Sequence, residues 1–448
     1  MSEVSETTTI DKDQYREIFV GPKKVTIPND WDTAKLSEIA LDGNKTFIDG
    51  DWVESSDMVP DGEYQLIQLG NIGEGHFKSE CDKFVSEKFF NEKNCTLVEQ
   101  GDLLISRLAD PVLRTIIVPE FEKKSITAVD IVVAKVDEES WSKEYIWQLL
   151  NSKPLADAGN SLATGSTRQR ISRSNMAKIT IPRPPLPEQR QIAKILSTVD
   201  EQIQQTKEAI AETKELKYTL IQELLTKGIT DDTDTKTVKI GPLEVEIPTH
   251  WNHSFFDEVI ELNPRDDIPE EDSFEYLPMD AVDESLRQIQ YWNERKPKNC
   301  TSVRFRQGDT IYAKITPCTE NGKLAYINDI EGDIAFGSTE FLVFRAQEDN
   351  MVPKFVYYLA NHPAFRAVTI SLMEGSTGRQ RVPTDIFKQN IKIPVPPISE
   401  QKKIVAVLDQ IDEKYHNEHD RKQELEELKR GLKQDLLTGN KRVDPEQA

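Results

Sequence analysis

From Gly165 the sequence reads GSTRQRISRSNMAKITIPRPPLPEQRQIAKIL, and from Gly375 it reads GSTGRQRVPTDIFKQNIKIPVPPISEQKKIVAVL. One residue is inserted early. From Ile181 and Ile393 onward the two copies stay in register, 212 residues apart, without a gap. Each copy runs on into a long charged helical pattern ending in LLT, at Leu224-Leu225-Thr226 and Leu436-Leu437-Thr438. A second matched pair lies upstream, GPKKVTIPNDW at Gly21–Trp31 and GPLEVEIPTHW at Gly241–Trp251. A duplicated domain-plus-helix unit presents two similar surfaces, and this constrains the fold more than any other feature.

At 448 residues the chain exceeds what one hydrophobic core serves, which predicts several domains. Residues 1–14 read as a disordered acidic N-terminus without the apolar core of a signal peptide. Residues 15–185 read as a mixed domain. Its β-rich runs YQLIQLGNI, GDLLISRL, RTIIVP and DIVVAKV are punctuated by Gly, Asp and Pro, and a helix, WSKEYIWQLLNS, follows. Residues 240–395 repeat the scheme with FEYLPM, GDTIYAKITP, GKLAYIN and EFLVFRA, then KFVYYLANHPAFRAV as helix.

The intervening segments, 186–229 and 396–440, read as long helices. Ile192, Leu196, Val199, Ile203, Ile210, Leu220 and Leu224 recur at steps of three and four, with Thr206, Thr213 and Lys217 as polar breaks. Ile404, Leu408, Ile411, Tyr415, Leu425, Leu432 and Leu436 do the same in the second copy. PPLPEQ and PPISEQ stop the preceding strand and open the helix at Pro187 or Ser399. A helix of ~40 residues spans roughly 60 Å. Its narrow seam needs burial, and its own repeat is the natural partner. Short connections favour an antiparallel pair, with the two mixed domains at opposite ends of a rod and an approximate two-fold axis relating them.

The formal charge of −22 argues against uniform nucleic-acid binding, which needs Lys and Arg against phosphate. The distribution is uneven. Residues 160–194 hold seven basic side chains against one acid, and 287–323 hold eight against three. The first 70 residues and the segment 261–284 each carry about −9. Basic islands on an acidic protein can grip DNA locally, although acidity that serves only solubility is equally compatible. No apolar run approaches the ~20 residues of a membrane span. Cys81, Cys95, Cys300 and Cys318 lack paired spacing, which fits reduced thiols in a cytoplasm.

Catalytic signatures are missing from the text. There is no GxxxxGK[ST] loop. LGNIGEG at Leu69–Gly75 lacks GxGxxG spacing and reads as a turn. His416 and His419 read as a solvated helix face rather than metal ligands. Asp110, Glu122 and Lys124 form only a loose nuclease-like set that the second repeat does not reproduce. Asn263-Pro264-Arg265 lacks the aromatic that a base-methylating motif stacks on a flipped base.

The signature GSTxRQR…IPxPPxxEQxxI, present twice and followed each time by a long helix, resembles the specificity (S) subunit of type I restriction–modification enzymes. GDTIYAKITPCTENGKLAYI and FGSTEFLVFRA resemble that family's target recognition domains, whereas GDLLISRLADPVLRT departs from the pattern. The resemblance implies an α+β fold with a pseudo-two-fold internal repeat. Two similar mixed α/β target recognition domains would be separated by a pair of long antiparallel coiled-coil helices. It implies a bipartite double-stranded DNA target, one half per domain, with the helices setting the spacer. It also implies two methyltransferase (M) subunits and motor-nuclease (R) subunits as partners. S-adenosylmethionine, ATP and Mg²⁺ would reside on those partners, and this chain would be a non-catalytic, cytoplasmic subunit with no membrane contact.

Arg168, Gln169, Arg170 and Arg173 in the first copy, and Arg379, Gln380 and Arg381 in the second, are the first candidates for DNA contact. Arg can fork onto guanine and Gln can pair with adenine, but Arg also clamps phosphate. A loop shared by two domains with different targets favours a shared role, phosphate contact or domain–helix packing. Base reading is better sought where the halves differ, at Arg107 and Arg114, or at Arg304, Arg306, Lys314 and Lys323. Rival readings are a coiled-coil protein-interaction scaffold and an acidic DNA mimic, neither of which uses the basic loops.

Overall fold

The computed structural model describes residues 14–78, 81–108, 111–165, 168–229, 234–296, 303–347, 349–376, 378–389 and 391–444. The acidic N-terminus up to residue 13, Asp110 and Cys300 lie outside them. The chain divides into two compact units, one of residues 1–205 with 422–448 and one of residues 206–421. Each unit holds one mixed head and a stretch of both long helices.

In the first unit an antiparallel hairpin, Tyr15–Val20 with Lys23–Pro28, turns at Gly21, whose φ of +58° suits glycine. A four-stranded antiparallel sheet follows in the order Phe47–Asp49, Ile131–Ala134, Leu103–Ser106, Thr115–Ile117. The run LLIS is buried along its whole length because both sheet faces are covered. Leu103 and Ile105 enter the core that receives Ile192, Leu196, Leu436 and Leu437 from the long helices. Leu104 points the other way, into a core with Ile116, Ile131 and Val133. A smaller sheet sets Tyr64–Ile67 between Phe84–Val85 and, in parallel, Lys124–Thr127.

The second unit repeats this design. Its antiparallel sheet runs Ile260–Leu262, Phe341–Ala346, Thr310–Ala313, Leu324–Tyr326. Tyr312 and Phe344 face the helix-side core with Ile221, Leu225, Ile404 and Leu408, while Ile311 and Val343 face a separate one. The second sheet is ordered Asn293–Arg295, Phe274–Leu277, Ala335–Gly337, Val303–Phe305. The expected helix KFVYYLANHPAFRAV is two helices, Pro353–Asn361 and Pro363–Ser371. Pro363 cannot continue the first, and His362, in extended backbone, caps the second by accepting from the Ala364 N–H through Nδ1 at 3.1 Å.

The last strand of each head, Thr180–Arg183 or Lys392–Val395, pairs with Asp32–Lys35 or Asn252–Phe255 and leads through the paired prolines into a long helix. These helices are Leu186–Leu224 and Ile398–Thr438. The Glu-Gln dipeptide of the repeated signature is the joint between head and helix. Trp31 Nε1 donates to Glu188 at 3.0 Å, and Trp251 Nε1 donates to Glu400 at 3.0 Å. Gln189 accepts from the Ser142 N–H at 3.0 Å and donates to the Pro184 carbonyl at 2.9 Å. Gln401 accepts from the Val352 N–H at 2.8 Å and donates to the Pro396 carbonyl at 2.8 Å.

Within each unit the two helices run antiparallel. In the first, Glu188 is held by Arg442 at 2.7 Å and Asp200 by Lys429. In the second, the Ile229 N–H reaches Glu400 at 3.4 Å and Lys217 reaches Asp412 at 2.5 Å. The seam differs from the sequence reading at its polar breaks. Thr206, Thr213 and Lys217 are buried in it instead of interrupting it. Beyond Lys217 the buried positions are Ile221 and Leu225, with Leu220 and Leu224 only partly covered.

Candidate nucleic-acid interface

The repeated basic loop is the same small construction in both heads. In the first, Thr164 and Arg170 exchange backbone hydrogen bonds of 2.9 Å each, the closing pair of a hairpin. Gly165 has φ +112°, and a Cβ there would stand 2.5 Å from the Arg168 carbonyl oxygen. In the second, Glu374 and Arg381 close the loop with bonds of 2.9 and 2.8 Å. Gly375 has φ +127°, and a Cβ would stand 2.8 Å from the Arg379 carbonyl oxygen. Only glycine turns the chain this tightly, which accounts for the first letter of the motif in both copies.

Each hairpin docks on the exit of a central sheet strand. The Ile171 N–H donates to the Arg107 carbonyl at 2.9 Å, just past Leu103–Ser106. The Val382 N–H donates to the Lys314 carbonyl at 2.8 Å, just past Thr310–Ala313, and the Thr316 N–H donates to the Gln380 carbonyl at 3.0 Å. The structure therefore brings the shared loop together with Arg107 in one head and with Lys314 in the other.

The three side chains of RQR divide the work. The last arginine is an anchor. Arg170 meets Asp130 at 2.7 Å, and Arg381 forks onto Glu340 with contacts of 2.7 and 3.0 Å. The Arg381 guanidinium holds the Glu340 carboxyl below the usual carboxylate range. Arg168, Gln169 and Arg379 are exposed, Gln380 is half-buried, and the guanidinia of Arg168 and Arg379 have no partner among the described residues. These two are the cations left available to an external phosphate.

The other candidates separate by burial. Arg107 is 8% exposed, and its guanidinium is occupied by Asp49 and by the Ile171 and Val129 carbonyls at 3.2 Å each. Arg173 completes that cluster, donating to the Phe47 carbonyl at 2.9 Å and meeting Asp49 at 3.3 Å. Arg114 is half-buried, with its Nε lacking a partner. Arg304 donates to the Asp266 carbonyl, whereas Arg306 is exposed. Lys323 donates to the Met279 carbonyl at 3.0 Å and has little free surface. Lys314 is half-buried beside Glu340. Arg107 and Lys323 thus serve their own heads, because each has partners that lie far away in sequence. Sequence reasoning missed the acidic partners of Arg107, Arg170 and Arg381, which are Asp49, Asp130 and Glu340. Only their acidity marks them in the text.

Other features singled out in the sequence are structural. Leu69–Asn71 is a single 3-10 turn, followed by a tight reversal in which the Gly73 N–H donates to the His76 carbonyl at 2.9 Å. His416 faces the Leu286 carbonyl at 3.1 Å, and His419 lies edge-on to Tyr415 with ring centroids 4.7 Å apart. Among the described residues no cluster of His, Cys, Asp or Glu could hold a metal ion, and no helix is long and apolar enough to cross a membrane.

Residues 28–215 and 251–427 each match the family model described as the type I restriction modification DNA specificity domain. The chain is similar to the type I restriction enzyme MjaVIII specificity subunit of Methanocaldococcus jannaschii, at 26% identity over 95% of this chain and 96% of that one. It is also similar to the EcoAI specificity subunit of Escherichia coli, at 33% identity over 37% of this chain. That match spans only 28% of the EcoAI subunit's length, and a match to the EcoEI subunit of the same organism likewise spans 28%. In fold, the chain is similar to the type I restriction–modification S subunit from M. genitalium, with a TM-score of 0.56 at 13% identity over 93% of this chain and 96% of that one. A chain from a structure of type I restriction–modification complex assembly and conformational transition gives a TM-score of 0.54 at 15% identity, over 93% of this chain and 99% of that one. With two specificity domains covering most of its length, the chain belongs to the type I restriction–modification DNA specificity family.

Proposed function

We propose that the protein is the non-catalytic DNA sequence-recognition subunit of a cytoplasmic type I restriction–modification complex. Each head reads one half of a bipartite duplex target, and the long helices fix the spacer between the halves. The same chain docks two methyltransferase subunits and the motor-nuclease subunits, which supply S-adenosylmethionine, ATP and Mg²⁺. The observation that carries this reading is the duplicated glycine-turned hairpin. It holds a partner-free Arg168 or Arg379 beside a strand exit whose surroundings differ between the heads. A common element suits phosphate, which carries no sequence information, and the divergent strand exits suit base edges, which do. Arg306, Arg114 and Lys314 are the remaining candidates for reading, since Arg107 and Lys323 are committed internally.

The net charge of −22 weakens binding by the chain alone, so its methyltransferase partner is needed for affinity. A gel shift with and without that partner, combined with mapping of modified sites in the host genome, tests the proposal. Sequence-specific binding confined to the complex, at a two-part motif, is the expected outcome. Tight specific binding by the solitary chain would reject the partner requirement, and a complex indifferent to sequence would reject the recognition role.

A further inference from the structure

A cleft of about 620 Å³ in the second unit opens against the first long helix. Its lining carries Arg287, Arg366 and Asn361 over apolar walls that include Tyr218, Ile221 and Ile370. Three facts about the polar side are unusual together. Asn361 is 5% exposed, yet its Nδ2 has no partner. The Nε of Arg366 is buried and likewise unpaired, although an NH2 donates to the Glu320 carbonyl at 3.0 Å. Arg287 brings a second guanidinium, from a backbone held at φ +55°, a left-handed conformation unusual for a non-glycine residue, and its Nε donates to the Gly322 carbonyl at 3.4 Å. Burial and the neighbouring Arg287 charge hold the Arg366 guanidinium below its ordinary range. The nearby Asp412 is already paired with Lys217, and Glu215 stands on the cleft's lining.

Buried donors without acceptors are costly, and the Arg287 charge acts unfavourably on Arg366, so an anion in the cleft would relieve both. The first unit shows that the orphan donor is no by-product of the repeat. There Asn151 ends the corresponding helix, and its Nδ2 donates to the Thr115 and Trp147 carbonyls at 2.8 Å each. We propose that the cleft binds a single carboxylate at the end of an apolar peptide segment of a partner protein, clamped by Arg287, Arg366 and Asn361. Nucleic acid fits poorly. On the helix side the lining sets Lys214 against Glu215 and Lys217 is taken by Asp412, so it offers no basic track for successive phosphates, and the walls between are apolar. The site is independent of how the heads read DNA.

The test uses the full-length chain and a fluorescein-labelled hexapeptide, Gly-Ala-Leu-Ile-Ala-Leu, with either a free or an amidated C-terminus, followed by fluorescence anisotropy. The free acid is expected to bind and the amide to bind roughly tenfold or more weakly, as loss of a charge-assisted hydrogen-bond pair requires. Arg366→Gln should weaken the acid similarly. Asn361→Asp supplies the anion from within, so it should abolish peptide binding while raising the unfolding midpoint, an outcome that a folding defect cannot imitate. Equal affinity for acid and amide, no binding of either, unchanged affinity in Arg366→Gln, or displacement by inorganic phosphate or duplex DNA would each overturn the assignment.

Discussion

Lys217 and Asp412, on different long helices, meet at 2.5 Å with side chains only 7% and 11% exposed. Their counterparts one repeat away are Lys429 and Asp200, in which each residue has exchanged helices, and these also pair. Asp412 accepts from the Tyr358 hydroxyl at 3.1 Å, and Asp200 from Gln148 Nε2 at 2.7 Å. The antiparallel register is thus marked by one crosslink in each unit. The two crosslinks differ in burial, since Lys429 and Asp200 are about a quarter exposed.

That difference sets the first prediction. Burial pulls the Lys217 ammonium below its ordinary range against the attraction of Asp412, so Asp412→Ala strands an unpaired charge. The expected loss is about 3 kcal/mol, with much of it restored in the Lys217→Met, Asp412→Leu double variant. Asp200→Ala, at the more hydrated pair, should cost less, about 1–2 kcal/mol, most of it from the Gln148 Nε2 left without its acceptor. Denaturant unfolding of the four proteins checks both statements. Equal losses at the two sites would show that burial is not what separates them.

The hairpin arginines give a second expectation. Arg168→Ala or Arg379→Ala in the methyltransferase-bound complex should lower DNA affinity alike across targets and reduce the salt slope by roughly one ion each, as a phosphate contact does. Arg170→Ala and Arg381→Ala remove an anchor whose charge is already matched by Asp130 or Glu340, and should disorder the loop instead. Salt titrations by anisotropy distinguish these outcomes. A change in which half-sequence is preferred, on replacing Arg168 or Arg379, would instead assign them to base reading.

The sequence exposed the repeat, the proline-punctuated helix starts and most strands, because these depend on local pattern. GDLLIS and GDTIYA became the central strands Leu103–Ser106 and Thr310–Ala313. What it hid depends on partners distant along the chain. Arg107 looks like any surface cation until Asp49 is placed beside it, and Glu188 looks like a solvated helix acid until Trp31 donates to it. Thr206, Thr213 and Lys217 read as breaks because a seam is assumed apolar, yet a threonine packs well there and Lys217 finds Asp412. The split at Pro363 was legible from proline's missing N–H, but the apolar run on both sides outweighed it.

His362 provides a pH test. Burial lowers its pKa to about 4 from 6.5, and its Nδ1 must stay unprotonated to accept from Ala364. The unfolded chain takes up a proton below its ordinary pKa while the folded one does not, so this group makes stability fall as pH drops from about 6.5 toward 4. The full effect is about 3 kcal/mol from a shift of this size. His362→Asn, which retains a capping acceptor, should flatten that part of the profile. A wild-type-like acid limb in His362→Asn would mean that other groups produce it.

The spacer proposal yields the most direct test of the long helices. Removing seven residues between Asp200 and Lys217 of the first helix and the seven facing them between Asp412 and Lys429 of the second preserves the seam and both polar crosslinks, because the first helix's buried positions there fall on a seven-residue pattern. Each helix would shorten by about 10 Å at 1.5 Å per residue. With duplex DNA rising about 3.4 Å per base pair, the preferred spacer should contract by about three base pairs while both half-sequences persist. Methylation mapping in a host carrying the shortened subunit reads spacer and half-sequences in one measurement. An unchanged spacer would remove the helices from the measuring role, whereas altered half-sequences would mean that the heads themselves had been disturbed.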